Sequence, residues 1–256
     1  VLKSSALATG TLALGGLGVG TVPGRVLADE HESPIELCGA IDIVCAIDTS
    51  GSLSSSELDN LEVGVNAFID AIADSGADAT IGTLEFGNGG VRNKNDLQDP
   101  SGLTVTVGSP SGNTPMPGAL DIADQALYGD AAARADALKL VVLFTDGGPN
   151  YTNTSYSLGS YTAPRDDTAN WSAVGGDTTY DNADTASATV SVGEMDETAL
   201  VASSIKAAGM GGGATGIATV YVGAEGEDQQ AMTSAAITKY TDLPTYLANY
   251  IATPGV

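Results

Sequence analysis

The sequence predicts an α/β fold built on a parallel sheet, and three observations carry that prediction. Residues 41–47 and 138–144 are near-continuous apolar runs rich in β-branched side chains, as strands covered on both faces must be. Between them, Leu58, Leu61, Val65, Phe68, Ile69 and Ile72 recur at helical spacing. Each apolar run ends in a polar, glycine-bearing loop, and in open α/β sheets ligands sit beyond the carboxyl ends of such strands.

Taken in order, residues 1–28 hold no acid and read as a secretory leader: Lys3, a mildly apolar Ala/Leu/Gly stretch, then small residues at Val26-Leu27-Ala28. Val1-Leu2-Lys3 resembles the tail of a twin-arginine signal whose arginines would lie upstream. The alternative, a membrane anchor over 4–22, is weakened by the many Gly and Thr residues in that span. Residues 29–40 form a polar lead-in, and the main domain is expected over 41–253. Ser54-Ser55-Ser56-Glu57 offers a capping box for a helix over 57–74. Residues 79–86 and 103–107 read as strands joined by a polar loop with Gly87-Asn88-Gly89-Gly90 as punctuation. Glu85, near a strand end, is expected at an exposed edge or assisting the site.

A helix over 117–127 with Leu120, Ala123 and Leu127 inward leads to a strand over 138–145. Residues 149–192 then change character: rich in Thr, Ser, Asn, Asp and Tyr, aperiodic, and too long for an ordinary connection. They read as an insertion, with a hairpin at 185–192. A helix over 196–208, a turn at 209–213, a strand over 217–222 and helices at 228–236 and 243–251 complete the chain. The glycine run at 209–213 follows a helix and lacks the Lys-Ser/Thr ending of a phosphate loop.

The chemistry concentrates in three loops. Asp48, Ser50 and Ser52 alternate after the first strand, and Gly51 lets the backbone curl so that their oxygens converge. Ser111-Gly112-Asn113-Thr114-Pro115 opens a helix, and Thr145-Asp146-Gly147-Gly148 closes the second apolar run. Convergent oxygens without His or Cys suit a hard cation. The sequence DTSGS, then a Thr in NTPMPGAL, then LFTDGGPN, together resemble the metal-ion-dependent adhesion site of von Willebrand factor A domains. That resemblance implies a doubly wound, mostly parallel sheet with helices on both faces. It implies that Ser50, Ser52 and Thr114 are direct hydroxyl ligands of Mg²⁺ (Mn²⁺ or Ca²⁺ being the alternatives), with Asp48 and Asp146 acting through water. It further implies a vacant metal position for an Asp or Glu of a partner protein, and a last helix, 243–251, that moves between states.

All 32 acids fall at or after Asp29, against seven Lys and Arg in the same stretch. The acids are scattered, as on the solvated surface of a protein from concentrated brine, so instability at low salt is expected. Nucleic acid and anionic membrane are poor partners for such a charge, so no nucleic acid and no direct membrane insertion of the main domain are expected. Cys38 and Cys45, seven residues apart on an extended segment, would stand about 23 Å from each other, so a disulfide needs a turn at Gly39-Ala40. Cys45 reads as a buried thiol, and His31, the one histidine, as part of a solvated tail. Asn150, Asn153 and Asn170 head glycosylation sequons. Tyr151, Tyr156 and Trp171, with Tyr161 and Tyr180, form an aromatic set suited either to recognition or to packing the insertion. No nucleophile is paired with a general base, so the expectation is a secreted or cell-surface binding module, not an enzyme. A surface-layer or filament subunit that self-associates through the same cation is the alternative.

Overall fold

The computed structural model of the protein describes residues 39–87, 90–150, 189–190, 192–207, 213–222 and 232–254. The leader, His31, Cys38, Tyr151, Tyr156, Trp171, Asn153, Asn170 and the rest of 151–188 lie outside the described residues, as does most of the expected 185–192 hairpin. The sheet has five strands in the order β3-β2-β1-β4-β5. These are β1 (Ile41–Asp48), β2 (Ala79–Gly87), β3 (Gly90–Gln98), β4 (Leu138–Thr145) and β5 (Thr215–Tyr221). β1 runs parallel to β2 and β4 on its two sides, β4 is parallel to β5, and only β3 is antiparallel.

β1 is the axis of the core. Ile43, Cys45 and Ile47 point to one layer with α1 (Ser55–Ser75), while Val44 and Ala46 point to the other with α2 (Met116–Gly129). Covered on both faces, the strand must be apolar throughout, which is why its sequence shows no alternation. α1 begins in the expected capping box, with the Ser54 side chain and Glu57 satisfying each other's backbone N–H groups. It stops at Gly76, whose φ of 70° is the left-handed cap that glycine adopts without strain. Leu58, Leu61, Val65 and Ile69 form its buried stripe.

α2 is buried over residues 116–127 and not only along one stripe. The reason is a second cover: α3 (Val192–Ala207) packs over it, so even Asp121, Asp124 and Gln125 are interior. These polar groups are bonded there, Asp124 accepting from the Thr215 hydroxyl (2.6 Å) and Asp121 from Gln125 (2.7 Å). After α3 and β5 come a short α4 (Ser234–Tyr240) and α5 (Leu243–Tyr246), which continues as a π-helical turn, Leu247–Ile251. α4 starts later than the helix expected at 228–236. The end of this segment is pinned twice. Lys206 of α3 donates to the carbonyls of Tyr250, Ile251 and Ala252 (3.0–3.1 Å), and Thr253 bonds both backbone groups of Ile217 in β5. No helix among the described residues is long and apolar enough to cross a membrane.

Three expectations are corrected. The polar loop after β2 contains a strand, β3, whose Arg92, Lys94 and Asp96 belong to an exposed sheet edge, while Val91 and Leu97 are buried. The apolar 103–107 segment joins no ladder among the described residues. Asn66 of α1 bonds both N–H and C=O of Val105 (2.8 and 2.9 Å), and Glu62 accepts from Val107 N–H (2.8 Å). Leu103 and Val105 still enter the core beside α1. Glu85 is not an exposed edge residue either. It is buried, accepting from Gly108 N–H at 2.9 Å and facing Lys94 at 3.3 Å, so it braces this segment. Cys45 is a free, fully buried thiol, pushed up to about 12 by burial and therefore inert.

The amino end of β1 carries a buried ionic cluster. Asp42 accepts from Lys139 Nζ (2.6 Å), Arg134 Nε (2.7 Å), Arg134 N–H (2.8 Å) and Thr80 Oγ1 (2.8 Å). Burial works to raise its pKa, but Lys139, Arg134 and Thr80 together outweigh it and hold the carboxyl below the ordinary range. Removing one member of such a buried set strands the others without a counter-charge. Asp42→Ala is expected to cost about 3–5 kcal/mol in denaturant unfolding; a loss well under 1 kcal/mol would mean that the cluster is dispensable.

Candidate metal centre

The three chemical loops meet at the carboxyl ends of β1 and β4. Asp48 ends β1 and is completely buried. Its Oδ1 accepts from Ser50 N–H at 2.8 Å, closing a tight side-chain turn, and its Oδ2 accepts from the Thr145 hydroxyl at 2.6 Å. Thr145 is the last residue of β4, so one carboxylate is fixed by both central strands. Thr49 turns the other way and bonds Phe86 C=O through its N–H (2.8 Å) and hydroxyl (3.2 Å). Gly87 makes that approach feasible: a Cβ there would lie 2.6 Å from Thr49 O.

Backbone bonds join the first loop to the second. Gly51 N–H donates to Gly112 C=O (2.8 Å), and Ser111 N–H donates to Thr49 C=O (2.9 Å). A Cβ on Gly51 would stand 3.1 Å from that same Gly112 oxygen, so this glycine sets the spacing of the loops. The first loop also reaches the third. The Ser52 hydroxyl donates to Asp146 Oδ1 at 3.1 Å and lies 2.9 Å from the Ser50 hydroxyl. Behind Asp146 there is no slack, since a Cβ on Gly148 would fall 2.5 Å from Leu243 of α5 and 3.0 Å from Val190.

Thr114 lies on the second loop, two residues after Gly112. The Asn150 side-chain carbonyl accepts from its N–H, and Asn150 N–H donates back to Thr114 C=O at 3.2 Å. The backbone of Thr114 is therefore clamped, yet its hydroxyl oxygen is buried with no hydrogen-bond partner among the described residues. Exposure grades across the cluster. Asp48, Ser50 and Thr114 are interior, Asp146 is half-buried and Ser52 is exposed, so the opening to solvent lies on the Ser52–Asp146 side.

The electrostatics are unbalanced. Burial raises the pKa of Asp48, though hydrogen bonds from Thr145 and Ser50 oppose the rise. Burial is also the largest cause at Asp146, followed by the negative charge of Asp48, with a smaller push from Glu57. Arg134 and Lys139 serve Asp42 at the other end of β1 and cannot neutralise this pair. Tyr221, at the end of β5, is pushed up to about 12 by burial first and then by the charges of Asp146 and Glu57. Three hydroxyls and two carboxylates are oxygen donors of the kind that suit a hard divalent cation, and the unpartnered Thr114 oxygen has the chemistry of such a donor. No group of three or more His, Cys, Asp or Glu side chains able to hold a metal gathers among the described residues. A cation here would rest on hydroxyls as much as on carboxylates.

Two residues that hold the cluster in place were not singled out from the sequence for that task. Thr145 could have been: it is the hydroxyl residue directly before Asp146 on a strand expected beside β1. Asn150 stood as a glycan acceptor, but in the folded chain its side chain is buried and engaged with Thr114, leaving no solvent for a sugar. The acceptor expectation for that residue is corrected to a structural clamp.

A sequence model of the von Willebrand factor type A domain matches residues 42–208. No curated protein matches the chain in sequence. Among solved structures, the pilus adhesin SpaC from Lactobacillus rhamnosus GG aligns at 22% identity and a TM-score of 0.37, over 45% of this chain and 16% of that one. Proximal thread matrix protein 1 from the mussel byssus aligns at 21% identity and a TM-score of 0.38, over 44% and 32%. The vWF domain of the type V pili tip protein Mfa5 from Porphyromonas gingivalis aligns at 18% identity and a TM-score of 0.34, over 43% and 39%. The chain thus spans well under half the length of each.

Without a cation, the two raised carboxylates make the folded state bind protons more tightly than the unfolded chain does. Their contribution is then fully present below the ordinary Asp pKa of about 4. It is lost as pH rises through the raised value, about 7 for Asp146. In chelator, thermal unfolding should therefore show stability falling across that window, and Asp146→Asn should flatten the fall. Stability that rises steadily over the same window in both proteins would contradict this electrostatic account.

Proposed function

The chain belongs to the von Willebrand factor type A domain family, and from that premise we propose that it is a divalent-cation-dependent protein-binding module. In this reading Ser50, Ser52 and Thr114 hold Mg²⁺ through their hydroxyls, with Asp48 and Asp146 as counter-charges. When bound, the ion supplies a Lewis-acidic position for an anionic oxygen from outside. Mn²⁺ and Ca²⁺ are the competing occupants of the same oxygen set.

The carrying observation is the Thr114 hydroxyl, buried and without a partner among the described residues while its backbone is clamped on both sides. Leaving a buried polar atom unsatisfied costs about 1–3 kcal/mol, so such an atom is expected to have a task. The neutral hydroxyls leave much of a divalent charge unquenched, which favours an incoming Asp or Glu side chain. Asp48 has both oxygens committed to Ser50 and Thr145, so its role is to hold charge nearby. Asp146, half-buried beside Ser52, borders the face from which the partner arrives.

The acid-free stretch over 1–28, read from the sequence as a secretory leader, is in keeping with action outside the cell or on its surface. An acidic surface repels an acidic partner at long range, yet at about 1 M salt the screening length falls to about 3 Å and only contact interactions remain. Partner binding should therefore strengthen with salt until repulsion is screened. A pull-down from cell-surface extract, run across salt with Mg²⁺ and again with chelator, measures this; capture that weakens steadily with salt, or ignores chelator, would contradict the reading.

Mg²⁺ affinity by calorimetry is the direct test of the site. Asp146→Ala should remove measurable binding. Thr145→Val, which strips Asp48 of one hydrogen bond, should weaken it about 10- to 100-fold. Unchanged affinity in both variants would place the ion elsewhere.

A further inference from the structure

The two edges of the sheet are built differently. β3 carries Arg92, Lys94 and Asp96, and its pairing with β2 is broken by register shifts, both devices that keep foreign strands away. β5 is TGIATVY, without a charge, and pairs with β4 in unbroken register. Its outward backbone groups can be assigned from the strand alternation. Val222 N–H donates inward to Thr145 C=O (2.8 Å), so residues 218 and 220 face β4 as well. Residues 217, 219 and 221 face out. Ile217 is taken by Thr253, which accepts from its N–H at 2.9 Å and donates to its C=O at 2.8 Å. The outward N–H and C=O groups of Thr219 and Tyr221 have no partner among the described residues. This is a short, regular, uncharged edge with two open rungs.

Its position matters. Tyr221 pairs with Thr145, the residue directly before Asp146, so the open rungs run toward the metal loops. We propose that the edge of β5 at Thr219 and Tyr221 docks an extended segment of the same partner that presents the carboxylate, adding it as a strand and carrying its acid toward Asp146. The proposal rests on the metal reading above and names the backbone form of the ligand. A second copy of this chain fits the edge poorly. In a symmetric antiparallel pairing about these rungs, Thr219 of one copy would face Tyr221 of the other, and the chain continuing past that Tyr221 would run into Thr253, which already occupies the place opposite Ile217. A free peptide strand has no such obstruction. Strand addition takes affinity from main-chain bonds and specificity from alternate side chains, so the acid is the one fixed requirement.

The test uses displayed random peptides of about twelve residues with one fixed Asp, selected on the full chain in Mg²⁺ and high salt. Thr219→Pro removes an outward N–H that serves no internal bond, so it should leave Mg²⁺ affinity unchanged while weakening the selected peptides about tenfold or more. Amide exchange gives a readout that needs no variant. In the free protein, Thr219 and Tyr221 should exchange at least about tenfold faster than Ala218 and Val220, and peptide should protect them only when Mg²⁺ is present. Peptides that need Mg²⁺ and Asp but bind Thr219→Pro equally well would overturn the docking edge and leave the metal reading intact. If no Mg²⁺-dependent peptide emerges and Mg²⁺ itself does not bind, both fall. Protection of Thr219 and Tyr221 in the free protein, at all concentrations or only at high ones, would mean that this chain or a second copy already covers the edge, and that also overturns the proposal.

Discussion

The hydrogen bonds that fix Asp48 govern the geometry of everything around it. Its two oxygens are held by Ser50 N–H, one turn ahead in the same chain, and by Thr145, nearly a hundred residues away at the end of the neighbouring strand. β1 and β4 must therefore be in register before the first loop can close. The first loop in turn positions Gly51 against Gly112 and Ser52 against Asp146, so the other two loops inherit their places from it. A buried carboxylate without a cation is costly, and the hydrogen bonds from Ser50 N–H and the Thr145 hydroxyl offset part of that cost.

The opposite end of β1 uses the same residue type to the opposite effect. Asp42 and Asp48 are six residues apart on one strand and both are fully buried. Asp42 meets Lys139 and Arg134, and its charge is favoured; Asp48 meets hydroxyls, an amide and a second carboxylate, and its charge is disfavoured. Burial is common to both, and the neighbours alone decide which is a structural anchor and which is a receptive site. That contrast is consistent with the proposed site at the carboxyl pole of the sheet.

Much of this could be read from the chain because local chemistry and long-range structure agree at the key places. Unbroken apolar runs made β1 and β4 legible, and each delivered its acid to the loop that follows. The capping box fixed the start of α1 from four residues. β3 was hidden because Arg92, Asn93, Lys94, Asn95 and Asp96 have low strand propensity, and an edge strand needs only Val91 and Leu97 inward. Residues 103–107 misled for the converse reason. Their composition suits a strand, but their backbone partners are Asn66 and Glu62 of α1, which no local pattern reveals. Asn150 belongs to the same class: its meaning depends on Thr114, and spacing along the chain gives no hint of that contact.

The end of the described chain carries a mechanical implication. Three carbonyls at the end of the last helical turn and just beyond it are gathered by one half-buried ammonium, Lys206, and the next residue is stapled to the sheet through Ile217. Tension applied beyond residue 253 would not peel α5 away turn by turn. It would be divided between α3 and the strand that flanks β4, loading several bonds in parallel, as a knot shares strain among the cords that enter it.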